Sequence, residues 1–303
     1  MYASTLGSLL QQPWDVVHGW EEPYVIASAQ IARRVQRGVR FVPATFQNIS
    51  KHYPPPIAVI ERRVMRRADA WIAFGQTVYD TLRNRAGYSG KPSTVLSPGV
   101  DTVMFNPDPI ARANMRNMMG WTSDEPIVGF AGRFVPEKGV ETVLHAFAHS
   151  SHRWKVLFVG GGPLRPRIES LRLQHPSRVR LVRDARHDEM PGFLRAMDLL
   201  CVPSRPTARW KEQFGRTLIE AMACGVPVVA SDSGEIPHVV QDAGVVVPAN
   251  DLTAWTETID RLIADPSMRA QLAARGLARA RAEFSWAVVA RRHLDFFEEV
   301  SAR

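Results

Sequence analysis

The charged residues with the clearest chemical use in this chain fall in two stretches. Gly132-Arg133-Phe134-Val135-Pro136-Glu137-Lys138-Gly139 brings an arginine and a lysine into one glycine-bounded turn. A planar guanidinium fork beside a point-like ammonium suits a diphosphate. Glu212-Gln213-Phe214-Gly215-Arg216-Thr217-Leu218-Ile219-Glu220 places one carboxylate just before a helix start and another about a turn and a half inside it. Unpaired N–H groups at a helix start attract phosphate or sugar oxygens. An ionised carboxylate accepts several O–H bonds, so the pair suits a polyhydroxylated ligand. The helix dipole alone also favours an acidic residue there. Gly160-Gly161-Gly162 would let backbone approach a ligand, although a plain strand-to-helix turn explains it equally well.

The elements that must position these residues follow from hydrophobic pattern. The helix of Glu220 is predicted over 215–224, with Leu218, Ile219 and Met222 on its apolar side. Gly225 stops it, and Pro227 lies in a strand of β-branched residues (Val226, Val228, Val229). Strands at 127–131, 156–159, 179–182, 199–202, 226–230 and 244–247 alternate with helices at 140–148, 164–173, 188–196, 215–224 and 236–241. Helices at 251–263, 267–283 and 286–300 close the chain. Ligands of such a sheet sit beyond the carboxyl ends of its strands. Arg133 and Lys138, the glycine triplet and the helix start at Gly215 all fall on that rim. Two cations, two carboxylates and a helix N-terminus together suit a sugar joined to a nucleoside diphosphate.

The first hundred residues repeat the alternation. A helix tail over 1–12 is followed by strands at 14–18, 38–45, 70–74 and 94–96, with helices at 23–35, 57–67 and 77–86. Asn106-Pro107-Asp108-Pro109 is a breaker cluster that reads as a linker, giving domains 1–108 and 109–303 with a closing helix at 286–300. Arg62, Arg63, Arg66 and Arg67 lie on the polar side of helix 57–67. They form a solvated face or a patch for an anionic membrane surface. The buried side is expected from Ile57, Ile60, Val64 and Ala68.

Composition bounds the rest. A chain of 303 residues, 45% hydrophobic and 22% charged, is ordinary for a soluble two-domain protein. Its net charge of +8 favours anionic partners. No zinc-finger spacing or RNA-binding aromatic signature is present, so no nucleic acid partner is expected. Cys201 and Cys224 sit in apolar contexts and read as buried reduced thiols. No apolar run reaches the ~18 residues of a membrane span, and no signal-peptide core opens the sequence. The expectation is a cytoplasmic protein, peripheral at the inner face of the membrane where the four arginines touch it.

Residues 127–290 resemble the donor-binding half of a family 4 glycosyltransferase. The resemblance rests on Gly132 to Gly139, Val159-Gly160-Gly161-Gly162-Pro163, the Glu-x7-Glu segment Glu212 to Glu220, and Ser231-Asp232-Ser233-Gly234-Glu235-Ile236-Pro237. Asp15-Val16-Val17-His18, Arg67-Ala68-Asp69-Ala70 and Ser97-Pro98-Gly99-Val100-Asp101 resemble later parts of that family's acceptor domain. The resemblance implies an α/β fold of GT-B type. Two Rossmann-like doubly wound domains would face across a cleft, the first incomplete at its N-terminus. Arg133 and Lys138 would hold the donor diphosphate, and Glu212 would face the transferred sugar. Phe214 and Gly215 would line its bed with Gly161 nearby, and Glu220 would take the ribose hydroxyls. It further implies transfer with retention of configuration, no metal or other cofactor, donors activated by UDP, GDP or ADP, and a sugar, lipid-linked or small-molecule acceptor.

Two departures from the family pattern stand out. The opening strand and glycine-rich loop of the acceptor domain are missing, which implies a truncated or degenerate first domain. Where the family often has a histidine, Thr45-Phe46-Gln47-Asn48 offers Gln47, which hydrogen-bonds a hydroxyl but takes no proton at neutral pH. His18 and His52 are the nearby alternatives. Beside the transferase stand three other readings. One is an inactive relative that binds a nucleotide sugar or a protein partner, and another is a nucleotide-sugar epimerase of the same fold. The third, a glycosidase using Glu212 and Glu220, has no use for Arg133 and Lys138.

Overall fold

Two parallel sheets organise the chain, and the computed structural model describes residues 5–121 and 125–303. The first compact unit is Met1–Pro98 with Ala287–Arg303; the second is Gly99–Trp286. In the first unit α1 (Thr5–Leu9) precedes β1 (Val16–Gly19), α2 (Ile26–Arg34), β2 (Arg40–Thr45), α3 (Pro55–Arg67), β3 (Trp71–Ala73), α4 (Gln76–Leu82) and β4 (Ser93–Val95). Residues 1–4 of the expected helix tail lie outside the described residues. The strands pair in parallel in chain order, β1-β2-β3-β4.

In the second unit α5 (Pro109–Met118) leads to β5 (Ile127–Ala131), α6 (Val140–His149), β6 (Lys155–Val159), α7 (Arg165–Gln174) and β7 (Val179–Val182). After them come α8 (Met190–Ala196), β8 (Leu199–Val202), α9 (Arg216–Ala223), β9 (Val228–Ser231), α10 (Ile236–Val240), β10 (Val245–Val247), α11 (Leu252–Ala264) and α12 (Pro266–Arg279). The six expected strands are all present, in the order β10-β9-β8-β5-β6-β7. Chain direction across the sheet therefore reverses between β5 and β8, the place where a doubly wound sheet opens a crevice. Successive side chains point to opposite faces. Ile127 and Ala131 of β5 join Val228 and Ala230 of β9 in one core, while Val128, Phe130 and Val229 join Trp154, Phe158 and Trp255 in the other. Burying each of the larger aliphatic and aromatic side chains stabilises the fold by about 1.5–3 kcal/mol.

Three sequence expectations need correction here. The units divide at Pro98 and Gly99 instead of at residue 108, because Val100 and Phe105 are buried in the core of the second unit. The last helix, α13 (Trp286–Ser301), belongs from Ala287 onward to the first unit. Its Phe296 and Val300 are buried with Val42, Ala44 and Ile72 of β2 and β3. On α3 the buried residues are Glu61, Val64 and Met65, not a purely apolar stripe. Glu61 is paired inside, accepting from Arg85 at 2.7 Å and from the Tyr88 hydroxyl at 3.1 Å. Among the described residues, no helix is long and apolar enough to cross a membrane.

Candidate functional site

The two strands that flank the reversal deliver the site. β5 runs into Gly132 and Arg133, and a single 3-10 turn, Pro136–Lys138, aims the lysine back across the sheet end. β8 runs into the segment that carries Ser204, Trp210 and Glu212 before α9 begins. There Lys138 Nζ donates to Glu212 Oε1 at 2.9 Å and to Oε2 at 2.7 Å. Ser204 Oγ donates to the same Oε2 at 2.6 Å, and its carbonyl accepts from Ser231 Oγ. Lys138 Nζ also lies 5.1 Å from the Trp210 ring centre, a cation–π contact. Glu212 is 6% exposed. A charge so placed is held by its partners.

Backbone geometry fixes this pairing. Gly139 follows Lys138 at φ 69°, and a Cβ there would sit 1.8 Å from the Pro203 carbonyl oxygen. Gly234 has φ 57°, and its Cβ would sit 2.1 Å from the carbonyl oxygen of Glu212. Only glycine fits either place. The loop after β9 thus clamps Glu212 from behind, and Glu235 N–H donates to the Glu212 carbonyl at 3.0 Å.

One turn of α9 further in, Glu220 lines a cavity of about 280 Å³ with Gly132, Gly160, Gly161, Asp184 and Thr217. Burial raises its carboxyl pKa, against the pull of Arg216 and His187. The nearest cation, on Arg216, is 3.8 Å away and mostly exposed. Glu220 is therefore a buried acceptor facing an open cavity with its lone pairs largely unused. Gly161 is open on its Cβ side and exposes backbone to the same space. Arg133 is exposed on the loop of Lys138. Gly215, in the left-handed region at φ 84°, starts α9 without a side-chain cap, so the first N–H groups of the helix remain for a ligand. Phe214 turns its ring into the core against Phe284, away from the cavity that Glu220 lines.

The acceptor-side candidates lie in the first unit. Gln47 is buried; Nε2 donates to the Ile49 carbonyl and Oε1 accepts from the Tyr53 hydroxyl at 2.9 Å. His18 Nδ1 donates to the Val42 carbonyl at 2.8 Å, and burial lowers its pKa to about 4. Its ring packs against Trp20, His293 and Phe297. It is a neutral, packed imidazole at neutral pH. Arg67 is bound to Asp69 and to the Gln36 and Val39 carbonyls, whereas Arg62, Arg63 and Arg66 are exposed on α3. Both cysteines are free and buried.

Sequence reasoning missed Ser204, Trp210 and Asp184. A serine directly after a buried strand, at the strand that reverses the sheet order, was the available signal for the first. Asp184 adopts φ 55°, rare for a residue with a side chain, and the sequence signalled it only as part of Arg183-Asp184-Ala185-Arg186, the loop after β7 where recognition of the nucleotide base is expected.

A model described as glycosyl transferases group 1 matches residues 111–279, and one described as glycosyltransferase family 4 matches residues 2–103. The chain is 30% identical over 305 aligned positions to D-inositol 3-phosphate glycosyltransferase of Xylanimonas cellulosilytica, covering 97% of this chain and 70% of that protein. It is 34% identical to a GDP-mannose-dependent alpha-(1-6)-phosphatidylinositol monomannoside mannosyltransferase of Mycolicibacterium smegmatis, covering 67% of this chain and 56% of that one. Among solved structures, Anabaena HepE in complex with UDP superposes with a TM-score of 0.81 at 22% identity, covering 98% of this chain and 82% of that one. Sucrose-phosphate synthase of Thermosynechococcus elongatus gives 0.76 at 24% identity, covering 99% and 77%. The chain belongs to the family 4 glycosyltransferases and has their GT-B fold of Rossmann-like parallel sheets.

Proposed function

We propose that this protein transfers a sugar from a nucleoside diphosphate donor to a hydroxyl acceptor with retention of configuration. The observation that carries the reading is the Lys138–Glu212 pair at the sheet reversal, beside the cavity lined by Glu220. Glu220 accepts the ribose hydroxyls, and Gly161 gives the diphosphate a close backbone approach. Arg133 and Lys138 stabilise the negative charge that grows on the leaving diphosphate, in the place a metal takes in other transferases. Glu212, held by Lys138 and Ser204, faces the positive charge that develops on the sugar.

The bond between the anomeric carbon and the β-phosphate oxygen breaks, and its electron pair leaves on that oxygen. The acceptor oxygen bonds to the same face of the sugar and gives its proton to the departing phosphate. No protein base is required, which agrees with a glutamine at position 47 and a buried neutral His18. The names of the relatives point to an acceptor that is a polyol phosphate or a phosphoinositide-linked sugar. The net charge of +8 suits such anions, and the exposed Arg62, Arg63 and Arg66 suit a peripheral contact with the lipid surface that would carry the second kind.

The test is turnover. The protein is incubated with UDP-, GDP- and ADP-hexoses, with inositol phosphate or phosphatidylinositol as acceptor, and nucleoside diphosphate release is followed. Acceptor-dependent release from one donor, and a product with the donor's anomeric coupling by NMR, is the expected result. An inverted anomer would overturn the retaining mechanism, and no release from any pairing would overturn the activity.

A further inference from the structure

A second cavity, of about 350 Å³, opens at the amino ends of β8 and β9, the end of the sheet away from the donor site. Its walls carry Arg112 of α5, Arg195 of α8 and Arg269 of α12. Main-chain carbonyls hold each guanidinium in place. Arg195 donates to the Met104 and Asn106 carbonyls, Arg269 to those of Leu262 and Ile263, and Arg112 to those of Arg195 and Met197. Asp198 is the carboxylate in the cavity wall that pairs with cations. It is shared between Arg112 and Arg116 and also accepts the Ile127 N–H. Asp108, the other carboxylate in the wall, accepts the Ala111 N–H as the cap of α5. Among the described residues, neither Arg195 nor Arg269 has a carboxylate partner.

Three guanidinium groups of the wall thus face its two carboxylates, leaving an excess of one positive charge, and Arg116 draws on one of those carboxylates from outside the wall. The repulsion is felt within the cluster. Burial lowers the pKa of Arg112, and the nearby charges of Arg116 and Arg269 push the same way against Asp198. Guanidinium groups whose carbonyl bonds hold them still, with charge to spare, lose little entropy on closing around an anion. We propose that this cavity is a second anion site, distinct from the donor site, that takes a phosphate dianion either free or as a phosphate monoester. α9 runs between the two sites: Glu220 in it lines one cavity, and Cys224, which caps its C-terminus, lines the other.

The experiment uses the whole chain saturated with UDP and titrates inorganic phosphate by calorimetry, then repeats the titration with glycerol phosphate. One phosphate is expected to bind. Arg269→Gln and Arg195→Gln are each expected to weaken it at least tenfold while leaving UDP affinity unchanged. Tighter binding of glycerol phosphate identifies a monoester as the ligand, and equal or weaker binding identifies free phosphate. In the unmodified chain, phosphate is expected to protect Arg195 and Arg269 from phenylglyoxal, mapped by mass spectrometry, which reads the site even where a variant does not fold. Absence of phosphate binding, binding unchanged in both variants, or equal phenylglyoxal modification with and without phosphate would overturn the proposal. Failure of UDP to bind counts against the donor-site reading only; dependence on Arg269 and phenylglyoxal protection still report this one.

Discussion

Lys138 donates to both carboxylate oxygens of Glu212, at 2.9 and 2.7 Å, across 74 residues of chain. The two come from the loops after β5 and β8, so the sheet reversal brings them to one rim and the turns at Gly139 and Gly234 bring them into contact. Removing Lys138 leaves the buried Glu212 carboxylate without this cation, while Ser204 still donates to it. Lys138→Ala is therefore expected to destabilise the fold by about 2–3 kcal/mol, somewhat below the usual cost of breaking a buried pair because the lysine is 23% exposed. Lys138→Met with Glu212→Gln should recover most of that in urea denaturation, while both variants lose transferase activity. A double variant no more stable than Lys138→Ala would contradict the pairing energy assigned here.

Three glycines separate packing from ligand access. Gly139→Ala and Gly234→Ala drive a methyl group into the Pro203 and Glu212 carbonyls and are expected to cost about 2 kcal/mol or more. Gly161 has nothing within 4 Å of a built Cβ. Gly161→Ala should keep its melting temperature and lose nucleotide affinity, since the methyl enters the cavity instead of the core. Equal melting losses in all three would remove Gly161 from the ligand's surroundings.

Acid stability reports on His18. Its pKa falls to about 4 in the folded chain, from about 6.5 unfolded, because burial outweighs its bond to Val42 and His293 adds repulsion. The folded state therefore favours the neutral ring. That contribution is fully present above pH 6.5 and is lost as pH falls toward 4, by about 3 kcal/mol in all. Burial raises the carboxyl pKa of Glu22, which acts with opposite sign. Comparison with His18→Phe isolates the histidine: urea midpoints of the variant should fall less between pH 6.5 and 4. Parallel midpoints would contradict it.

The exposed arginines of α3 should bind anionic vesicles, at about 1 kcal/mol per charge near the surface. Arg62→Glu, Arg63→Glu and Arg66→Glu together should abolish sedimentation with phosphatidylglycerol vesicles at low salt. Arg67→Ala should lower stability, because that side chain is tied to Asp69 and two carbonyls. Unchanged sedimentation of the triple variant would remove the membrane contact.

The strands of the second unit were legible because they are short apolar runs, with β5, β6, β8 and β10 closed directly by glycine or proline, and the site because its charges lie in the loops that follow β5 and β8. Lys138 and Glu212 could be placed on one rim from strand order alone. Their direct contact could not, since it depends on the left-handed turn at Gly139 and the backing of Gly234. The destination of α13 was hidden for a related reason. Val289, Phe296 and Val300 show that the helix buries a face, but helical spacing carries no record of which sheet receives it. Glu61 was hidden too, because its partners Arg85 and Tyr88 lie over twenty residues away.

Nucleotide binding by Glu220→Ala tests the donor site most directly. With the chain in UDP, GDP and ADP in turn, one nucleotide should raise the melting temperature, by the equivalent of ~2.7 kcal/mol at a hundredfold excess over Kd. The alanine variant should need at least tenfold more of that nucleotide for the same shift. An identical response from both proteins, or no response to any of the three, would contradict a nucleoside diphosphate site at Glu220.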